Sequence, residues 1–289
     1  MLVEPSQFGE RLSTAFADHG RLCVGIDPHP YLLDGWELPD SAEGLREFGL
    51  RVIEAAAGRV GIVKPQVAFF ERFGSAGYAA LELVMAAARQ AGLLLIADVK
   101  RGDIGSTVEA YGQAWLAPGG PLEADAMTMS AFQGVGSLAA PIAFAQEHGK
   151  GIFVLAATSN PESVAAQKAI IGTGEQHGLT VAAGIVDGVI DVNRATSGAI
   201  GAIGVVLGAT ADLPAYGIEV DRLVGPPATP VLAPGVGRQG AAFEHLRMRY
   251  RQAAPYTIVT ASRSVLDAGP RGLAEAMTRH AGELAACLG

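Results

Sequence analysis

The sequence predicts an α/β fold: a single (β/α)8 barrel of the TIM type over residues 1–289, with an N-terminal helix covering one end. Three observations predict it. Eight short apolar runs alternate with amphipathic segments, no linker or break in composition divides the chain, and polar residues sit at or just after the ends of the runs. An open doubly wound sheet would share the alternation. The placement of Asp27, Lys64, Asp98, Lys100, Ser159 and Arg263 at strand C-termini favours the barrel, which builds its sites on that face.

Taken in order, Phe8, Leu12 and Phe16 recur at helical spacing, so a short helix is expected over residues 5–18. Residues 21–27 read as the first strand, ending in Asp27, and Pro28-His29-Pro30 forces a turn. Asp40 with Glu43 has the spacing of a capping box, opening a helix whose inner face is Leu45, Phe48, Val52, Ile53 and Ala56. The second strand, residues 60–64, ends in Lys64. A helix from about Ser75 follows, with Gly92 at its stop. The third strand begins at residue 93 and runs into Asp98 and Lys100, after which Ser106 with Glu109 predicts another capping box. Residues 126–130 form a weaker fourth strand, whose helix is marked by Val135, Leu138, Ala139 and Ile142.

The fifth strand, residues 151–157, leads into Thr158-Ser159-Asn160-Pro161, where Asn160 is expected to cap a helix and Pro161 to take its first position. Helical pattern then continues to about Ala195, broken near His177-Gly178. Strands six to eight are expected at 202–207, 229–233 and 256–260, and Pro270 opens a closing helix bearing Leu273, Met277, Ala281 and Leu284.

Composition narrows the function. With 49% hydrophobic and 17% charged residues, the 289-residue chain can bury a large core. No run approaches the ~20 apolar residues of a membrane span, and Met1-Leu2-Val3-Glu4-Pro5 lacks the layout of a signal peptide. Cys23 and Cys287 alone imply no disulfide framework, which fits a reducing cytoplasm. A net charge of −8 argues against a nucleic-acid partner. It leaves room for a small anion, because a local cluster of Lys, Arg and backbone N–H groups can hold a phosphate on an acidic protein. The six histidines show no pairing with cysteines or carboxylates of the metal-ligand kind, so no metal is expected.

Two stretches carry chemistry. In Asp98-Val99-Lys100-Arg101-Gly102-Asp103, Asp98 and Lys100 are two apart on a strand and project from one face, with Asp103 just beyond. An ammonium held between two carboxylates is expected to stay charged. That suits a proton donor and a fixed positive charge, whereas Schiff-base chemistry needs a neutral amine. The second stretch, Pro234-Gly235-Val236-Gly237-Arg238-Gln239-Gly240, contains Gly-x-Gly-x-x-Gly. It lies in the penultimate βα unit, and Arg263 rather than an acid follows the next strand, so a dinucleotide site is discounted. The backbone N–H groups at Gly235 and Gly237 and the fork of Arg263 instead suit one phosphate, held where barrels often hold it, after strands seven and eight. Gly172-Thr173-Gly174 lacks the Gly-Lys-Ser/Thr of a P-loop and is read as structural.

The residues 98–107, with Lys64-Pro65-Gln66 upstream and Pro234-Gly235-Val236-Gly237 downstream, resemble the orotidine 5′-phosphate decarboxylase family, in particular its longer bacterial branch. Thr158-Ser159-Asn160-Pro161 adds to the match, which extends from Asp27 to Arg263. The resemblance implies a cofactor-free carboxy-lyase that forms uridine 5′-phosphate and CO2 in pyrimidine biosynthesis, and a homodimer with shared active sites. Lys64, Asp98 and Lys100 would come from one subunit and Asp103 and Thr107 from the other. Asp27 would contact the ribose, Ser159 the pyrimidine, and Gln239 and Arg263 the phosphate. Two rival readings remain. One is another barrel sugar-phosphate lyase or aldolase, either using Asp27, Asp98 and Asp103 to hold Mg²⁺ or forming a Schiff base on Lys64 or Lys100. The other is a non-catalytic nucleotide-binding barrel.

Overall fold

The computed structural model describes residues 7–236 and 242–288. Eight parallel strands close into a barrel in chain order: β1 (Leu22–Ile26), β2 (Ile62–Pro65), β3 (Leu94–Arg101), β4 (Ala126–Ser130), β5 (Gly151–Ala157), β6 (Ile203–Leu207), β7 (Val231–Ala233) and β8 (Thr257–Ala261). β8 pairs back onto β1, with Leu22 opposite Val259. Every residue of β1, β2, β6, β7 and β8 is buried. Strands covered on both faces need no polar alternation, which is why they appear in the sequence as unbroken apolar runs.

The surrounding helices bury one stripe each. In Ala42–Ala56 that stripe contains Leu45, Phe48, Val52, Ile53 and Ala56, and in Gly74–Gln90 it contains Leu81, Val84, Met85 and Ala88. Gly92, at φ +72°, ends the latter in the conformation that only glycine adopts freely. The N-terminal helix Phe8–His19 lies across the barrel's N-terminal end. Its Arg11 donates to the Asp125 carboxylate and, at 2.9 Å, to the Gly149 carbonyl, both just ahead of strands, while Phe8 packs edge-on against Phe153. The opposite, C-terminal end is left open among the described residues.

Three expected helix starts are corrected. The helix Ala42–Ala56 is capped by Ser41, whose side chain accepts from Gly44 N; Asp40 is drawn away into an ion pair with Arg72. The helix Gly105–Leu116 begins at Gly105, so Ser106 already lies inside its first turn and makes no cap with Glu109. Asn160 caps nothing: its side chain is engaged by Thr158 and Glu162, and the next helix is Ser163–Gln167. The break expected near His177-Gly178 is wider than a kink, because Ile170 and Thr180 pair as an antiparallel bridge before the helix Val181–Arg194.

That last helix is pinned to the barrel by one buried side chain. Asn193 Nδ2 donates to Ile203 O at 2.7 Å and to Thr229 Oγ1 at 3.0 Å, and Oδ1 accepts from Ile203 N at 3.2 Å. Asn193→Ala leaves these groups unpaired in the core and is expected to lower the unfolding free energy by about 2–3 kcal/mol, measured by denaturant titration.

Candidate active site

The site grows from the irregular end of β3. Ala97 pairs with Met127 and Arg101 with Met129, so β3 takes four steps while β4 takes two. The surplus is absorbed around Lys100, which sits at φ +49°, a left-handed conformation uncommon for a residue with a Cβ. The detour turns the Lys100 side chain back over Asp98, with Nζ 2.6 Å from Asp98 Oδ1. From β2, the buried Lys64 reaches the other carboxylate oxygen, with Nζ 2.7 Å from Oδ2. Gln66, bridged to Asp98 in parallel register, completes the group: with its side-chain amide assigned to suit both neighbours, the nitrogen donates to Asp98 Oδ2 at 2.5 Å and the oxygen accepts from Lys100 Nζ at 3.0 Å.

The arrangement inverts the sequence expectation. Rather than one ammonium between two carboxylates, one carboxylate lies between two ammoniums. Asp103 is turned elsewhere, its Oδ1 accepting from Ile104 N at 2.8 Å. Burial by itself would raise the Asp98 carboxyl, but Lys64 and Lys100 outweigh it and hold the group well below the usual carboxylate range. Burial likewise opposes charge on Lys64, yet Asp98 and Asp27 lift its ammonium above the usual lysine range. Lys64 and Asp98 are thus locked in their charged forms, and Lys100, 46% exposed at its side chain, projects into the barrel mouth. Cys23 is no nucleophile, since burial pushes its thiol up to about 12.

A cavity of about 240 Å³ opens at this mouth. Lys64, Asp98 and Lys100 line it together with Asp27 after β1, Gly235 after β7 and Arg263 after β8. Apolar Leu155, Val206 and Leu232 complete its lining. Asp27 Oδ1 and Ser264 Oγ, both on the cavity, are buried without a hydrogen-bond partner among the described residues. Buried polar atoms are ordinarily paired, so these mark a place shaped for a polar ligand. Ser159 and Thr107 are exposed and do not line the cavity, and Thr158 stands on it in place of Ser159. Gly237 and Gln239 lie outside the described residues.

Sequence reading missed Thr128 and passed over Gln66 as a contact. A threonine in a buried strand is a weak signal, whereas Gln66, two residues beyond Lys64, could have been found by following the strand end. Among the described residues no three His, Cys, Asp or Glu side chains gather to hold a metal, so Asp27, Asp98 and Asp103 do not form the oxygen cage of the Mg²⁺ rival. The buried His280 packs edge-on against Phe243 and lies 3.5 Å from Glu283, a carboxylate pairing not expected from the sequence.

Barrel and site together define a class, a (β/α)8 protein with a cavity at its C-terminal mouth and a carboxylate-pinned lysine beside it. The sequence matches the orotidine 5′-phosphate decarboxylase / HUMPS family over residues 20–277, and the chain belongs to that family. It is 48% identical to the orotidine 5′-phosphate decarboxylase of Salinispora tropica over 263 residues, 91% of each chain. It is 44% identical to that of Corynebacterium glutamicum over 265 residues, again 91% of each. A solved structure from Streptomyces avermitilis superposes with a TM-score of 0.91 at 43% identity, covering 99% of this chain and 97% of the other. Among the described residues no helix is long and apolar enough to cross a membrane.

Removing the carboxylate tests the electrostatics. Asp98→Asn strands the buried Lys64 ammonium and is expected to cost about 3–5 kcal/mol of stability at neutral pH. Because the carboxyl is depressed in the fold, its contribution is complete above its unfolded value of 3.8 and is lost as pH falls below it. The stability gap between parent and variant, read by denaturant unfolding, should therefore be constant from pH 5 to 8 and narrow below pH 3.8.

Proposed function

We propose that this chain is a carboxy-lyase converting orotidine 5′-phosphate to uridine 5′-phosphate and CO2, as a step of pyrimidine biosynthesis in the cytoplasm. The observation that carries the mechanism is the Lys100 ammonium, fixed by Asp98 and projecting into the cavity. Loss of CO2 from C6 of the orotate ring breaks the C6–carboxylate bond and leaves its electron pair in the ring plane, outside the π system. A preorganised positive charge beside C6 stabilises that pair as it develops. Lys100 then transfers a proton to C6, completing the product, and regains one from solvent. Asp98 holds Lys100 through this cycle, and Lys64 keeps Asp98 ionised. Every part of the step is performed by protein side chains, so no cofactor is required.

The rest of the substrate is assigned to the remaining polar groups. Asp27, one of whose buried oxygens has no partner among the described residues, accepts from the ribose hydroxyls. Arg263 and the backbone at Gly235 take the phosphate, and Gly237 and Gln239 are assigned to it on sequence grounds. Ser159 meets the pyrimidine once the segment after β5 folds inward. Binding energy from the phosphate, remote from C6, is available to drive that closure and exclude water. Asp103 and Thr107, which stand off the cavity of their own subunit, are supplied to the site of a second copy. The apolar Ile104 and Phe132, 61% and 92% exposed on the loops after β3 and β4, give that second copy a surface to cover.

Lys100→Ala is expected to lower kcat by about 1,000-fold or more with little change in melting temperature. Turnover of the parent should survive a strong chelator. Retained turnover in the variant, or loss to chelator, refutes the mechanism. Arg263→Ala should act mainly on KM, raising it by about 10–100-fold for the phosphorylated substrate.

A further inference from the structure

Thr128 stands out as the buried polar residue within β4 with no place in the chemistry above. It is 2% exposed, in the middle of an apolar strand. Its hydroxyl carries one donor and two acceptor positions, and all three are used on a single segment of β3. Oγ1 accepts from Val99 N at 3.0 Å and from Lys100 N at 3.0 Å, and donates to Asp98 Oδ1 at 2.9 Å. The register explains why. Between the pairs Ala97–Met127 and Arg101–Met129, β3 carries residues that β4 has no backbone groups to match. Two consecutive amides would be left without ladder partners at the point where Lys100 adopts its left-handed conformation. One side-chain hydroxyl takes both.

We propose that Thr128 is a positioning residue for Lys100: it fixes the backbone from which the reactive ammonium springs and, through the same atom, the orientation of the carboxylate that holds it. Both anchors of Lys100, its own main chain and Asp98 Oδ1, converge on Thr128 Oγ1. Proton transfer to a ring carbon depends on angle and distance, so loss of this point should misdirect Lys100 while leaving the ribose and phosphate contacts intact. The role assigned to Thr128 rests on the decarboxylase reading of the site.

The test compares Thr128→Val, isosteric and without the hydroxyl, with Thr128→Ser, which keeps it. The valine variant should lose about 100-fold in kcat with KM within about threefold of the parent, and serine should recover most of that loss. In hydrogen exchange, the Val99 and Lys100 amides should be slow in the parent and the serine variant and at least tenfold faster in the valine variant. A folded valine variant with kcat within about threefold of the parent overturns the proposal, as does a kcat loss shared equally by serine. If valine prevents folding, Thr128→Cys, whose thiol is a weak donor and acceptor, should show an intermediate kcat loss of about tenfold, and full activity in it overturns the proposal. A parent without turnover refutes the decarboxylase reading instead. The exchange rates then decide whether Thr128 anchors these amides, and equal protection in parent and valine variant counts against it.

Discussion

One carboxylate organises the mouth of this barrel. Asp98 accepts from Lys64 on one oxygen and from Lys100 and Thr128 on the other, and a buried charge is tolerable only when its neighbours compensate it this fully. Without Asp98 the Lys64 ammonium is left buried without its ion-pair partner, and Lys100 loses the carboxylate that holds it over the cavity. Ion pairs so placed are weak contributors to net stability, since desolvation consumes much of the attraction. Their value in the proposed reaction is positional: they fix where a positive charge stands before any substrate arrives, so that no reorganisation is needed when charge develops.

The fold supplies that geometry at modest cost. Lys64 and Asp98 face each other because β2 and β3 are neighbours in parallel register, with Gln66 opposite Asp98. Lys100 returns to Asp98 because β3 departs from its ladder with β4. A regular strand would carry residues 98 and 100 on one face but spaced along it by about 7 Å at their Cα atoms, so the irregularity helps bring their charged ends together. The opposite end of the barrel is plugged by the helix Phe8–His19, and stability and chemistry are thereby assigned to different ends of one contiguous core.

The strand order and the barrel were legible because strands covered on both faces leave long apolar runs, and because charges at their ends have only one place to go. Asp27, Lys64, Asp98, Lys100 and Arg263 could be located for the same reason. What failed was finer than periodicity. Asp40, Ser106 and Asn160 all had the composition of caps, but each start was settled by a competing local interaction: an Arg72 ion pair, the turn at Gly105, and the side chains of Thr158 and Glu162. The reversed roles of carboxylate and ammonium, and the triple use of Thr128, depend on a shift in strand register that no residue pattern along β3 reveals.

In the proposed reaction the Lys100 ammonium, held by Asp98, lies against the ring carbon that carries the transient electron pair. A crystal structure with bound uridine 5′-phosphate tests it most directly. The phosphate should lie on Arg263, and Lys100 Nζ about 3 Å from C6, still paired with Asp98. A ring seated with C6 beyond reach of Lys100, or a Lys100 turned away from Asp98 in the complex, would contradict it.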